Sequence, residues 1–131
     1  PGPLSLVLPR APGFDHDLGG SSTRTVAVRV PACEVALELL GRVGPLAVTS
    51  ANRSGGPPAH TAEEARRDLP GIEIVLDGGL RAGEVSTVLS LADEPVVLRP
   101  GAIPEAALIG ALGTSTGGSA LRGSRRRAPR T

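Results

Sequence analysis

The chain has 131 residues, a formal net charge of +1, one phenylalanine, no tryptophan or tyrosine, and one cysteine. That length suits one domain with a modest aliphatic core. The lone Cys33 excludes an internal disulfide and a cysteine metal cluster, and the lack of aromatic platforms argues against stacking of single-stranded bases.

No apolar run is long enough for a membrane-spanning helix and no signal peptide is recognisable, so the cytoplasm is the expected location. All 14 basic residues are arginine. Up to Leu112 nine arginines face thirteen Asp and Glu, a balance of −4, and the other five arginines follow in a stretch without acids. The body is therefore no general polyanion binder, and an anion site in it has to be a local constellation.

Residues 4–8 form an apolar run that predicts a buried strand. A loop rich in Pro, Gly, Asp and Ser follows to Arg24, in which Gly19-Gly20-Ser21-Ser22 reads either as a closure over a ligand or, the favoured reading, as a simply mobile stretch. His16 sits there between two aspartates and reads as solvated surface rather than a metal ligand. Residues 25–30 alternate and are β-branched, which predicts a second strand. Arg29 interrupts its valines: it either snorkels at an edge or faces a cavity and awaits a carboxylate.

Val35, Ala36, Leu39, Leu40 and Val43 recur at helical spacing, so residues 32–43 predict a helix stopped by Gly44-Pro45. Cys33 at its start reads as a small inert hydrophobe. Residues 45–48 predict another buried strand. It leads into Thr49-Ser50-Ala51-Asn52-Arg53-Ser54-Gly55-Gly56. Small hydroxyl, amide and glycine residues at a strand end allow close backbone approach to anionic oxygens. The same letters also fit an ordinary polar loop.

Thr61 to Glu64 fits a capping box, with Thr61 as N-cap and Glu64 reaching back, opening a short helix to Leu69. Residues 72–76 predict a strand ended by the turn Asp77-Gly78-Gly79. Residues 85–91 and 96–98 predict two more strands, and Pro104 opens a last helix over residues 105–112. The mixed order of strands and helices predicts an α/β fold. Residues 113–131 read as a disordered Gly/Ser/Arg tail. That tail is a candidate contact for tRNA or double-stranded RNA, although a solvated tail is the plainer reading.

Five blocks occur in one order: Pro1-Gly2-Pro3-Leu4-Ser5, Thr25-Val26-Ala27-Val28-Arg29-Val30-Pro31, Thr49-Ser50-Ala51-Asn52 through Gly55, Ser86-Thr87-Val88, and Leu98-Arg99-Pro100-Gly101. In this the chain resembles the YrdC family of threonylcarbamoyl-AMP synthases, over residues 1–112. The resemblance implies a YrdC-like α/β domain: a twisted mixed sheet, flanking helices and an open ligand-binding cavity. It implies an enzyme that joins L-threonine, bicarbonate and ATP into threonylcarbamoyl-AMP with release of pyrophosphate. That product would pass to a tRNA-modifying threonylcarbamoyl transferase.

Carried over by position, Arg29, Thr49 and Ser86 would hold threonine, with Arg29 clamping its carboxylate. Thr25, the Ala51 backbone and Arg99 would meet the nucleotide, with Ser50 and Asn52 as further candidates. Mg²⁺ would arrive with ATP rather than in a protein cage, and no catalytic side chain is assigned.

Three departures from the family pattern stand out. Ser5 replaces a threonine, and Pro58-Ala59 offers only backbone where the family often has a serine. The family's basic N-terminal motif around the ATP phosphates has no counterpart, so the expectation is an N-terminally incomplete domain with a bare sheet edge. Three other readings stay open on these grounds: a carbamoyl-transfer domain of hydrogenase-maturation type, a non-catalytic RNA-binding module, and an inactive fragment.

Overall fold

A computed structural model of the chain describes residues 1–19, 24–53 and 55–113. Two compact units emerge, one built from Pro1–Val30 with the chain from Glu84 onward, the other from Pro31–Gly83.

Among its described residues the first unit is a four-stranded sheet with one helix. Strands β1 (Leu4–Pro9), β2 (Thr25–Val28), β3 (Thr87–Ser90) and β4 (Val96–Arg99) lie in the order β2-β1-β3-β4. β1 pairs antiparallel with β2 and parallel with β3, and β3 pairs antiparallel with β4. The sheet is thus mixed, as the α/β reading requires. The connection from β2 back to β3 contains the whole second unit.

Alternation along β3 explains the core. Thr87 and Leu89 are buried, while Val88 and Ser90 between and after them are only partly so. Leu89 meets Val97 of β4 and Leu108 of the helix α3 (Glu105–Gly113), with Leu4, Leu6, Leu91, Ile103 and Leu112 packed around them. Full burial of such a side chain stabilises by about 1.5–3 kcal/mol.

Thr87, on the same strand as Leu89, is buried and polar, 1 % exposed. Its Oγ1 donates to the Ile103 carbonyl at 2.8 Å and accepts from the Ile103 N–H at 3.0 Å. One side chain thereby satisfies both backbone groups where the chain enters α3.

The pairing of β3 with β4 is irregular. Leu89 opposes Val97, yet the next pair is Val88 with Arg99, so Leu98 is the extra residue of a bulge. A bulge re-aims the side chains beyond it, and here the residue beyond it is Arg99.

The second unit holds helices α1 (Glu34–Val43) and α2 (Ala62–Asp68), neither with a buried residue. The start of α1 falls two residues later than expected because Cys33 is extended, with φ −140° and ψ 116°. Its end is the Gly44 stop, where φ is 81° and the N–H caps the Leu40 carbonyl.

Thr61 caps α2 as expected, its Oγ1 accepting from the Glu64 N–H at 3.1 Å. The reciprocal arm differs: Glu64 Oε2 accepts from the His60 N–H at 2.7 Å rather than from Thr61. At residues 77–79 the Asp77 carboxylate accepts from the Gly79 N–H at 2.8 Å, the expected turn.

Two expected strands are not formed. Residues 45–48 and 72–76 have no ladder partner among the described residues, and Val48 and Ile74 stand 85 % and 79 % exposed. An apolar run supplies the side chains of a strand, but a neighbouring backbone supplies its hydrogen bonds. Residues 25–30 shorten for a related reason, the ladder of β2 ending at Val28. The loop residues Gly20, Ser21 and Ser22 and the tail from residue 114 lie outside the described residues, as does Ser54.

Candidate functional site

Three of the residues singled out in the sequence meet in the first unit. Ser86 immediately precedes β3, Arg29 immediately follows β2, and Arg99 ends β4. Since β2 and β4 are the two edges of the sheet, the guanidiniums approach Ser86 from opposite sides of the pair β1–β3.

The contacts are specific. Arg99 donates from Nε and Nη2 to the Ser86 carbonyl at 3.1 and 2.8 Å, and from Nη2 to Ser86 Oγ at 3.1 Å. Arg29 donates from Nη1 to Ser86 Oγ at 3.2 Å and from Nε to the Gly2 carbonyl at 3.0 Å. Among the described residues neither guanidinium forms an ion pair with a carboxylate. Two cations therefore share one serine that is only 8 % exposed. Like charges at such range favour the arrival of an anion.

The hydrogen-bond inventory gives the serine a polarity. A hydroxyl has two acceptor lone pairs and one donor. Both lone pairs of Ser86 Oγ are occupied, one by each arginine. Its proton remains for an acceptor. Arg29 Nη2 and Arg99 Nη1 make no hydrogen bond among the described residues. Together these donors suit a carboxylate or phosphate oxygen.

Arg29 also lines a groove of about 500 Å³ whose walls include Leu4, Leu6, Val28 and Ile103. Arg29 is exposed just beyond the edge strand β2 and lines this concavity as well, so it combines features of both sequence readings.

Thr25 is placed apart from this cluster. It begins β2, with Arg29 beyond the strand's other end, and four extended residues span about 13 Å. Its carbonyl accepts from Arg10 Nε at 3.0 Å. A smaller cavity of about 240 Å³ is lined by Thr25, Arg24 and Asp93.

Thr49, Ser50, Ala51 and Asn52 belong to the second unit, where Thr49, Ser50 and Ala51 are exposed. Asn52 organises that loop. Its Nδ2 donates to the carbonyls of Arg53 at 2.8 Å and Gly56 at 3.0 Å, which uses both amide hydrogens internally. Arg53 Nε in turn donates to the Asp68 carbonyl at 3.2 Å, tying the loop to the end of α2.

Two participants escaped the sequence reading. The Gly2 carbonyl orients Arg29, and Gly101 lies against the Ser86 peptide. Both fall inside the recurring blocks, so position was the available signal, but a backbone contact has no side-chain signature to read. Among the described residues no group of three His, Cys, Asp or Glu is arranged to hold a metal ion. No described helix is long and apolar enough to cross a membrane.

Known proteins resemble this chain in sequence and in fold. A Mycobacterium tuberculosis relative is 46 % identical over 106 residues, which make up 79 % of this chain and 48 % of the relative. The threonylcarbamoyl-AMP synthase of Bacillus subtilis is 45 % identical over 107 residues, covering 79 % of this chain and 31 % of its own. The chain thus spans half or less of these relatives.

Among solved structures, that of Pyrococcus abyssi Sua5 complexed with L-threonine matches with a TM-score of 0.73 at 42 % identity, over 86 % of this chain and 34 % of that one. The Sua5/YciO/YrdC family model, described as "Telomere recombination", matches residues 1–101, and the chain belongs to that family.

Proposed function

We propose that this chain carries the carboxylate-binding part of an L-threonylcarbamoyladenylate synthase, which makes threonylcarbamoyl-AMP for threonylcarbamoyladenosine modification of tRNA. The observation that carries the reading is the convergence of Arg29 and Arg99 on Ser86, with no carboxylate paired to either among the described residues.

The chemistry asks for such a site. The amine of threonine condenses with bicarbonate, losing water, and a carbamate oxygen displaces pyrophosphate from the α-phosphorus of ATP. Every reactant is anionic or becomes so. Positioned donors and cations therefore do most of the work, with little need for a covalent catalyst. Arg29 presents Nη1 and Nη2 to the threonine carboxylate as a fork. The Ser86 hydroxyl donates to the same group. Arg99 turns Nη1 to the phosphates.

Thr25 contacts the nucleotide, and about 13 Å of strand between it and Arg29 suits a molecule with an amino acid at one end and a nucleoside at the other. In the loop of the second unit Thr49 is a threonine contact, by resemblance to the family. The Ala51 backbone, with Ser50 and Asn52, contacts the nucleotide on the same ground. Mg²⁺ enters with the ATP phosphates, and the product leaves to a tRNA-modifying threonylcarbamoyl transferase in the cytoplasm.

The test is a pair of calorimetric titrations, L-threonine and then ATP with Mg²⁺, into the chain and into Arg29→Ala and Arg99→Ala. Saturable threonine binding abolished by Arg29→Ala, with ATP binding weakened by Arg99→Ala, is the expected result. A chain that melts cooperatively and binds neither ligand overturns the proposal.

A further inference from the structure

The Ser86 peptide is the shared support of both guanidiniums, so what holds that peptide sets the site. Gly101 lies against that peptide. A Cβ added to Gly101 would stand 2.2 Å from the Val85 carbonyl oxygen, 2.6 Å from the Ser86 carbonyl carbon and 2.6 Å from the Thr87 nitrogen. All three are backbone atoms, with no flexible end to swing aside. The next residue locks the approach, because the Ala102 N–H donates to the Val85 carbonyl at 2.9 Å. The carbonyl carbon that a side chain would strike is the one whose oxygen takes two of the three Arg99 hydrogen bonds to Ser86.

We propose that Gly101 is a positioning residue for the two-arginine site: its bare backbone sets the Ser86 peptide, and that peptide aims Arg99 directly and Arg29 through Oγ. The inference rests on the function proposed above for the ligand it serves. It goes beyond that reading by placing control of the site in a residue that has no side chain. Gly101 follows β4 by two residues, so the bulge that re-aims Arg99 and the close approach that fixes Ser86 lie in one short segment.

The test reads the arginine directly. The chain is labelled with ¹⁵N at arginine, and Arg99→Lys identifies the Arg99 Nε–H signal by its loss. In the wild-type chain this proton is expected to exchange with water about tenfold more slowly than that of exposed Arg66. In Gly101→Ala it is expected to exchange like Arg66, with L-threonine affinity falling about tenfold. A Gly101→Ala chain that melts cooperatively and keeps the slow Arg99 proton overturns the proposal, as does a fast Arg99 proton in the wild type.

If Gly101→Ala does not fold, Arg99→Lys probes the same contact from the other side. Coupling between two sites is reciprocal, so losing the Arg99 bonds has to speed exchange of the Ala102 N–H, and an unchanged Ala102 N–H overturns the proposal. The exchange measurements need no ligand. Failure of threonine to bind would therefore sink the proposed function without being mistaken for a failure of this inference.

Discussion

His60 and Arg81 are bonded to each other twice: the Arg81 N–H donates to the His60 carbonyl at 2.8 Å, and His60 Nδ1 lies 2.9 Å from the Arg81 carbonyl. A carbonyl only accepts, so the Nδ1 nitrogen carries the proton in this contact. The pair joins the segment before α2 to the segment after the Asp77 turn, in a unit whose two helices bury no residue.

The prediction is that His60→Ala destabilises the chain by about 0.5–1.5 kcal/mol in urea unfolding. His60→Asn, whose amide N–H can occupy the Nδ1 position, should recover most of the loss. Equal losses in both variants would show that the ring bond contributes nothing.

The element types of the first unit were legible because its strands alternate and find partners: Thr87, Leu89 and Val97 sit where period-two burial puts them. The runs at 45–48 and 72–76 look equally strand-like in letters. They fail because a strand is a property of two backbones, and among the described residues none lies beside them. The site was legible as residue types, not as wiring. Arg99 was expected at phosphates, and nothing in its letters says that Nε and Nη2 hold the Ser86 carbonyl. That depends on the one-residue bulge at Leu98, which no periodicity announces.

Thr87 offers a second prediction, on the core. Thr87→Val keeps the shape but leaves the Ile103 N–H and carbonyl without their partner. The cost should be about 1–3 kcal/mol for each group left buried and unsatisfied. Thr87→Ser keeps the hydroxyl and loses only a methyl, so its urea midpoint should lie above that of the valine variant. The reverse ranking would assign Thr87 to packing rather than to hydrogen bonding.

A third prediction concerns the loop of the second unit. Asn52→Asp replaces an amide that donates to the Arg53 and Gly56 carbonyls by a carboxylate facing both of those oxygens. The loop should open, and the Gly56 N–H, which donates to the Arg53 carbonyl at 2.8 Å, should exchange about tenfold faster. The Gly44 N–H on Leu40, in the same unit, serves as the control and should not change. Unchanged exchange at Gly56 would mean that the backbone turn holds without Asn52.

Arg29→Lys separates charge from geometry at the proposed carboxylate site. A lysine keeps the positive charge but has one ammonium where arginine has a planar fork with Nε on Gly2 and Nη1 on Ser86. If charge alone attracted the carboxylate, lysine would serve nearly as well, and its threonine affinity would rise at low salt with screening removed. If the fork matters, the ammonium cannot bond Gly2, Ser86 and both carboxylate oxygens together. Losing one charge-assisted hydrogen bond costs about 1.5–3 kcal/mol, so calorimetry should find L-threonine bound at least about tenfold more weakly at every salt concentration. Wild-type affinity in Arg29→Lys would reduce Arg29 to a point charge and remove the geometric basis for assigning it the carboxylate.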